Sequence, residues 1–170
     1  MSMNRRNFLT SALAFGGLVV VGAPALALAG DKGAKAGAVG RVVRTDEEWK
    51  RRLTPQQYEV TRRAGTEAPY SSPLNEEHGK GTFLCVGCDL PVFSSKAKFD
   101  SGTGWPSFWT PFSKKNVREK EDRSLGEART EVLCARCDAH LGHVFDDGPP
   151  PTGLRYCMNG VALKFVAGKA

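Results

Sequence analysis

Two Cys-x-x-Cys pairs, Cys85-Val86-Gly87-Cys88 and Cys134-Ala135-Arg136-Cys137, constrain this chain more than any other feature. Each sits in one copy of a short repeat. Phe83-Leu84-Cys85-Val86-Gly87-Cys88-Asp89 echoes Val132-Leu133-Cys134-Ala135-Arg136-Cys137-Asp138, a strand-like run into two cysteines and an aspartate. Two such knuckles offer four sulfurs, and four cysteine thiolates are a common closed set for tetrahedral zinc. Forty-five residues lie between the pairs, so a further element must be inserted between the knuckles. Other uses are open: two disulfides in an exported protein, a redox centre, or a local set of two cysteines and two histidines from Cys134, Cys137, His140 and His143. The last would strand Cys85 and Cys88. Two like pairs at the ends of short strands favour metal, so one structural zinc ion per chain is expected.

The first thirty residues have a different texture. Met1 to Arg6 is short and basic, Phe8 to Ala29 is apolar and small, and Ala27-Leu28-Ala29 offers a cleavage site before Gly30. That is the layout of an export signal, expected over residues 1–29. A retained anchor is the alternative, since a span needs about 20 apolar residues, but Gly16, Gly17, Gly22 and Pro24 suit a cleaved signal better. Arg5-Arg6 followed by Asn7-Phe8-Leu9 resembles a twin-arginine signal, with Asn4 and Thr10 departing from the usual pattern, so the general secretion route stays open. A periplasmic location is expected.

Removing 1–29 leaves 141 residues, enough for one domain with its own core. The formal charge falls from +6 to +4, because Arg5 and Arg6 leave without an acid. The remaining cations are scattered among acids and read as solvated surface, which argues against a nucleic-acid partner. Residues 30–42 begin Gly/Ala/Lys-rich and read as a flexible linker, followed by one domain over 43–168, expected as a monomer.

Thr45-Asp46-Glu47-Glu48 and Thr54-Pro55-Gln56-Gln57 are capping-box patterns, the second with Pro at the first helical position, and predict two short N-terminal helices. Ala68 to Gly81 is loop-like. From Gly81 onward, short apolar or alternating runs alternate with turn residues. Thr82–Leu84, Pro91–Phe93, Glu131–Leu133, His143–Phe145, Leu154–Asn159 and Val161–Val166 are strand candidates, and Pro149-Pro150-Pro151 marks an exposed loop. The pattern predicts a mainly β, antiparallel domain.

The fifth cysteine, Cys157, lies in Leu154-Arg155-Tyr156-Cys157-Met158-Asn159. In a strand, Arg155, Cys157 and Asn159 share one face and Tyr156 and Met158 the other. A thiol between a guanidinium and an amide is not in an inert core, and a nearby cation favours the nucleophilic thiolate. His140 and His143 precede it in one turn-like segment, and imidazole is the natural proton donor near neutral pH. Gly102-Thr103-Gly104-Trp105-Pro106-Ser107-Phe108 is a Gly/Pro turn in which Phe108 reads as core and Trp105 as the wall of an apolar pocket.

Jointly, Gly102-x-Gly104-Trp105-Pro106-Ser107-Phe108, His140-Leu141-Gly142-His143-Val144-Phe145-Asp146-Asp147-Gly148-Pro149, Arg155-Tyr156-Cys157-x-Asn159 and both Cys-x-x-Cys pairs resemble the B-type peptide-methionine (R)-S-oxide reductases, in the family's order and from about Val43 to Val166. The resemblance implies two antiparallel sheets, a structural zinc on Cys85, Cys88, Cys134 and Cys137 away from the active site, and Cys157 as nucleophile. It also implies that His143, with His140 and Asn159, holds and protonates the sulfoxide oxygen, and that Trp105 receives the methyl group, with Arg155 beside the substrate. Cys157 would become a sulfenic acid. The substrate is then oxidised methionine in proteins or peptides, and the role repair of oxidative damage.

Many similar proteins have a resolving cysteine where this chain has Thr103. With four cysteines on zinc, no internal disulfide can form, and a thioredoxin-like or other external thiol must restore Cys157. The competing reading from another class is a non-catalytic zinc-ribbon binding module, for which Cys157, His143 and Asn159 would be dispensable. A disulfide oxidoreductase would need a second redox-active thiol.

Overall fold

A computed structural model describes residues 39–168. The expected export signal and most of the expected linker lie outside the described residues. Among the described residues, no helix is long and apolar enough to cross a membrane.

Both capping boxes form as the sequence predicts. Helix α1 (Asp46–Arg52) is capped by Thr45, whose side chain accepts from Glu48 N while the Glu48 carboxylate accepts from Thr45 N. Helix α2 (Pro55–Arg63) repeats the arrangement with Thr54 and Gln57. Each such cap is worth about 1 kcal/mol, a substantial share for helices of seven and nine residues. Acidic and basic ends follow the helix dipole in α1, with Asp46, Glu47 and Glu48 first and Lys50, Arg51 and Arg52 last.

Among the described residues nine strands follow: β1 (Gly81–Cys85), β2 (Pro91–Ser94), β3 (Lys98–Phe99), β4 (Ser107–Phe108), β5 (Val117–Asp122), β6 (Arg129–Cys134), β7 (His140–Phe145), β8 (Arg155–Met158) and β9 (Leu163–Ala167). They form two antiparallel sheets, ordered β2-β1-β9 and β3-β4-β8-β7-β6-β5. Phe83 and Phe93 from the small sheet and Phe108, Val132, Tyr156 and Met158 from the large one share one buried core. Phe93 stacks on Phe108 at 4.5 Å between centroids, and Phe83 meets Phe108 edge-on at 4.9 Å, both favoured aromatic geometries.

Each Cys-x-x-Cys is the turn of a hairpin, one per sheet, and the two turns share two equivalent hydrogen bonds. Cys85 N donates to Leu90 O and Asp89 N to Cys85 O; Cys134 N donates to Ala139 O and Asp138 N to Cys134 O. Asp89 and Asp138 both take a left-handed backbone, with φ of 61° and 56°. Aspartate tolerates that conformation better than most residues. The repeat read from the sequence is therefore a structural repeat.

Several elements differ from the sequence prediction. Strand β8 stops at Met158, one residue short of Asn159. The run from Val161 begins as a single 3-10 turn over Gly160–Ala162 before β9. The cause is Glu67, whose carboxylate accepts from Gly160 N at 2.6 Å and Val161 N at 2.8 Å and so occupies amides a strand would have paired. Strands β3, β4 and β5 were not predicted. Within the stretch expected as linker, Val39 and Val42 pack against the core, Val42 N donates to Arg136 O, and Arg41 pairs with Asp138.

Candidate active site

The register of the large sheet assembles the site. Ser107 of β4 pairs with Cys157, Cys157 with His143, His143 with Glu131, and Glu131 with Lys120. Paired residues in antiparallel strands project to the same side. One row across five strands therefore carries hydroxyl, thiol, imidazole, carboxylate and ammonium on a single face. Strands β7 and β8 approach closely because Gly142 has no side chain: a Cβ there would lie 2.1 Å from Cys157 O. Between Val132 and Leu133 the β6–β7 register shifts, which brings His140 to the same region as His143, ring centroids 5.4 Å apart.

A cavity of about 150 Å³ opens on this face, lined by Thr66, Trp105, Arg129, Gly142, His143, Phe145, Cys157 and Asn159. Of the residues singled out in the sequence, Cys157, His143, Asn159 and Trp105 thus meet at one place. Trp105 leaves a loop whose Gly104 has φ of 91° and packs against Pro69 and Tyr70, where a Cβ would come within 2.8 Å. His140 is 3 % exposed and is buried beside His143 rather than on the cavity wall. Its Nδ1 donates to Glu131 Oε1 at 2.7 Å, while its buried Nε2 has no partner.

Two expectations are adjusted by the geometry. Asn159 lies past the strand, and its amide is already engaged: Oδ1 accepts from Glu67 N at 3.0 Å and Nδ2 donates to Leu141 O at 3.3 Å. Arg155 does share a face with Cys157, but its guanidinium is held bidentate by Asp147, both contacts 2.8 Å, and stacks on Phe145. Arg155 does favour the thiolate, as expected of a nearby cation, but it does not decide the state of Cys157. Burial pushes the Cys157 thiol up, and it outweighs the opposing pulls of the Thr103 hydroxyl, the Arg155 charge and hydrogen bond, and the Ser107 hydroxyl.

Hydroxyls surround the thiol on the other side. Thr103 Oγ1 is 3.8 Å from Cys157 Sγ and 2.8 Å from Ser101 Oγ, and Ser101 Oγ is 2.7 Å from Ser107 Oγ. Ser107 is fully buried and also donates to Trp105 O. Glu67 ties the opposite wall together. Its backbone carbonyl accepts from Trp105 Nε1 at 3.2 Å, its N–H reaches Asn159, and its carboxylate anchors the turn at Gly160. Glu67, Ser101, Asp122, Arg129 and Glu131 are site residues that the sequence motifs do not assign, and Ser107 and Phe145 lie within those motifs without a role of their own. For Asp122, Asp122-Arg123-Ser124-Leu125-Gly126 carries a signal, since its Asp, Ser and Gly mark a turn.

The four knuckle cysteines come together elsewhere. Their sulfurs all lie within 4.8 Å of one another, with Cys85 Sγ 3.7 Å from Cys137 Sγ and Cys88 Sγ 3.5 Å from Cys134 Sγ. A disulfide needs about 2.05 Å, so this is a four-sulfur cluster that can hold one metal ion. The local alternative of two cysteines and two histidines does not match, because His140 and His143 turn to Glu131 and Asp122.

A family model described as the SelR domain matches residues 53–167. Three curated relatives carry the name peptide methionine sulfoxide reductase MsrB. The protein from Herminiimonas arsenicoxydans is 56 % identical over 127 residues, 75 % of this chain and 93 % of its own. Those from Pseudomonas entomophila and Thioalkalivibrio sulfidiphilus are each 58 % identical over 123 residues, 72 % of this chain and 94 % and 90 % of theirs.

Proposed function

This chain belongs to the SelR domain family, and we propose that it reduces the R epimer of methionine sulfoxide in proteins or peptides, with Cys157 as nucleophile. The pairing of His143 with Cys157 across β7 and β8, at the wall of a cavity that Trp105 and Asn159 also line, carries this reading. Sulfoxide oxygen is a poor leaving group until it is protonated, so a sulfur nucleophile needs an acid at its side.

The side chains divide the work. Cys157 Sγ attacks the substrate sulfur. His143, with His140 beside it and Asn159 opposite, holds the oxygen and supplies the proton. Trp105 and Phe145 form apolar walls for the methyl group. Net, the oxygen passes from methionine sulfur to Cys157, which becomes a sulfenic acid while methionine leaves. Two equivalents of an external thiol then return Cys157 to the thiol, releasing water and a disulfide. The R preference follows from a pocket that fixes three directions at once: sulfur to Cys157, oxygen to His143, methyl to Trp105.

We further assign the four-sulfur cluster to one structural zinc ion. Zn–S bonds of about 2.3 Å in a tetrahedron place sulfurs about 3.8 Å apart, close to the 3.5 and 3.7 Å seen. One knuckle comes from each sheet, so the ion would tie the two sheets together. Residues 1–29 are proposed to export the protein to the periplasm, where a thiol donor in the same compartment would recycle it as a monomer.

The test is methionine release from a blocked methionine sulfoxide by Cys157→Ser and His143→Ala. Cys157→Ser loses turnover and keeps the metal; His143→Ala slows turnover about 10²–10⁴-fold. Undiminished turnover by Cys157→Ser would refute the reading.

A further inference from the structure

Two carboxylates grip the two histidines, and neither was singled out by the sequence motifs. His143 Nε2 donates to Asp122 Oδ2 at 2.8 Å, and His140 Nδ1 donates to Glu131 Oε1 at 2.7 Å. Both acids stand on one hairpin, β5–β6, while both imidazoles stand on β7. We propose that Asp122 and Glu131 are positioning residues of the reaction, which hold His143 and His140 in fixed orientation and fixed tautomer and make the β5–β6 hairpin part of the site. The inference rests on the reading of His143 as proton donor.

A carboxylate only accepts, so each imidazole must donate the nitrogen it turns towards the acid. Which nitrogen carries the proton is set by the bond the other one makes. His143 is therefore fixed with Nε2–H towards Asp122, leaving Nδ1. His140 is fixed the opposite way, with Nδ1–H towards Glu131, leaving Nε2. That Nε2 is buried and unpartnered, in a side chain 3 % exposed, so a donor–acceptor function is stored beside the cavity without being used by the fold. The rings meet at 65°.

Asp122 is itself held in place. Its carboxylate caps the turn by accepting from Ser124 N at 2.9 Å, and Arg129 donates to Oδ2 at 2.5 Å. Arg129 also lines the cavity. These contacts keep Asp122 well below the usual carboxylate range, the Ser124 amide and hydroxyl first and His143 next. A carboxylate locked on Nε2 leaves Nδ1 as the His143 nitrogen free to exchange a proton with the substrate. Glu131 is a second anion on the same row, opposite His143, with Lys120 3.8 Å away.

The groups facing His143 are Asp122 from β5, Arg129 and Glu131 from β6, His140 from β7, and Cys157 and Arg155 from β8. Asp122 accepts from Ser124 N through Oδ1 and from His143 and Arg129 through Oδ2, so Asn, with one oxygen and a donating NH2, must give up either the turn cap or the acceptor that holds the imidazole. Asp122→Asn should therefore lower kcat with little change in KM, and Asp122→Glu, which keeps both oxygens, should recover part of it. Glu131→Gln should lower kcat less, since Glu131 reaches His143 only through His140 and across the strand pair.

The experiment measures kcat and KM from pH 5 to 10 for wild type, Asp122→Asn, Asp122→Glu, Glu131→Gln and His143→Ala. Iodoacetamide labelling of Cys157 and metal content serve as checks on the fold. Expected for Asp122→Asn is a loss of at least tenfold in kcat, little change in KM, and partial rescue in Asp122→Glu. If His143→Ala slows turnover but Asp122→Asn stays within twofold of wild type, or is slow with KM raised as much as kcat falls and no rescue in Asp122→Glu, the positioning role is overturned. If His143→Ala leaves turnover unchanged, the assignment of the acid itself has failed, and that outcome is distinguishable from the first.

Discussion

Thr103 Oγ1 stands 3.8 Å from Cys157 Sγ, the position from which a second thiol would close a disulfide. The hydroxyl cannot, and among the four other cysteines each belongs to the metal-type cluster. After one turnover without reductant, Cys157 should remain as a sulfenic acid that a dimedone-type probe labels. Thr103→Cys should replace that species by an internal disulfide, seen as a loss of two hydrogens in the intact mass. The same loss in the wild-type protein would overturn the recycling scheme.

Cys85→Ser should release the metal and unfold the domain, because a structural ion contributes folding free energy directly. Metal analysis and a thermal melt check this. A variant with wild-type melting and no metal would show that the cluster is not what ties the sheets together.

How much of this was legible beforehand follows from what each feature depends on. Capping boxes, knuckles and Tyr156/Met158 alternation are local, and the structure forms them where the sequence places them. Strand β6 is legible at Glu131–Leu133, but its hairpin partner β5 is not. Val117-Arg118-Glu119-Lys120-Glu121-Asp122 is mostly exposed edge strand, and an edge strand with little apolar alternation reads as loop. Glu67 sits in an irregular segment and acts on residues more than ninety positions away. Its role exists only once the chain has folded. The same holds for the burial that decides the state of Cys157, where the local cation pointed the other way.

Burial pushes the Cys157 thiol up, so the substrate-free protein should alkylate with an onset displaced to higher pH than an ordinary thiol. Removing a group that stabilises the thiolate should displace it further. Ser107→Ala and Arg155→Ala should both move the iodoacetamide rate profile to higher pH. A midpoint below that of free cysteine would contradict the balance of burial over charge.

Glu67→Gln should act on substrate affinity more than on chemistry, because the carboxylate anchors the segment that orients Trp105 and Asn159. Losing one charged acceptor costs about 1.5–3 kcal/mol in stability, and KM should rise more than kcat falls. Burial also raises the Glu67 carboxyl, so the wild-type KM should worsen on acidification at a pH above the ordinary glutamate range. In Glu67→Gln that dependence should vanish. Its persistence would assign the effect to another group.

The most direct test of the central claim is to supply separately resolved R and S epimers of a blocked methionine sulfoxide with a small dithiol, and to follow methionine formation. The account predicts complete consumption of the R epimer and none of the S epimer, with Cys157→Ser inert towards both. Equal consumption of the two epimers, or turnover of S alone, would contradict it.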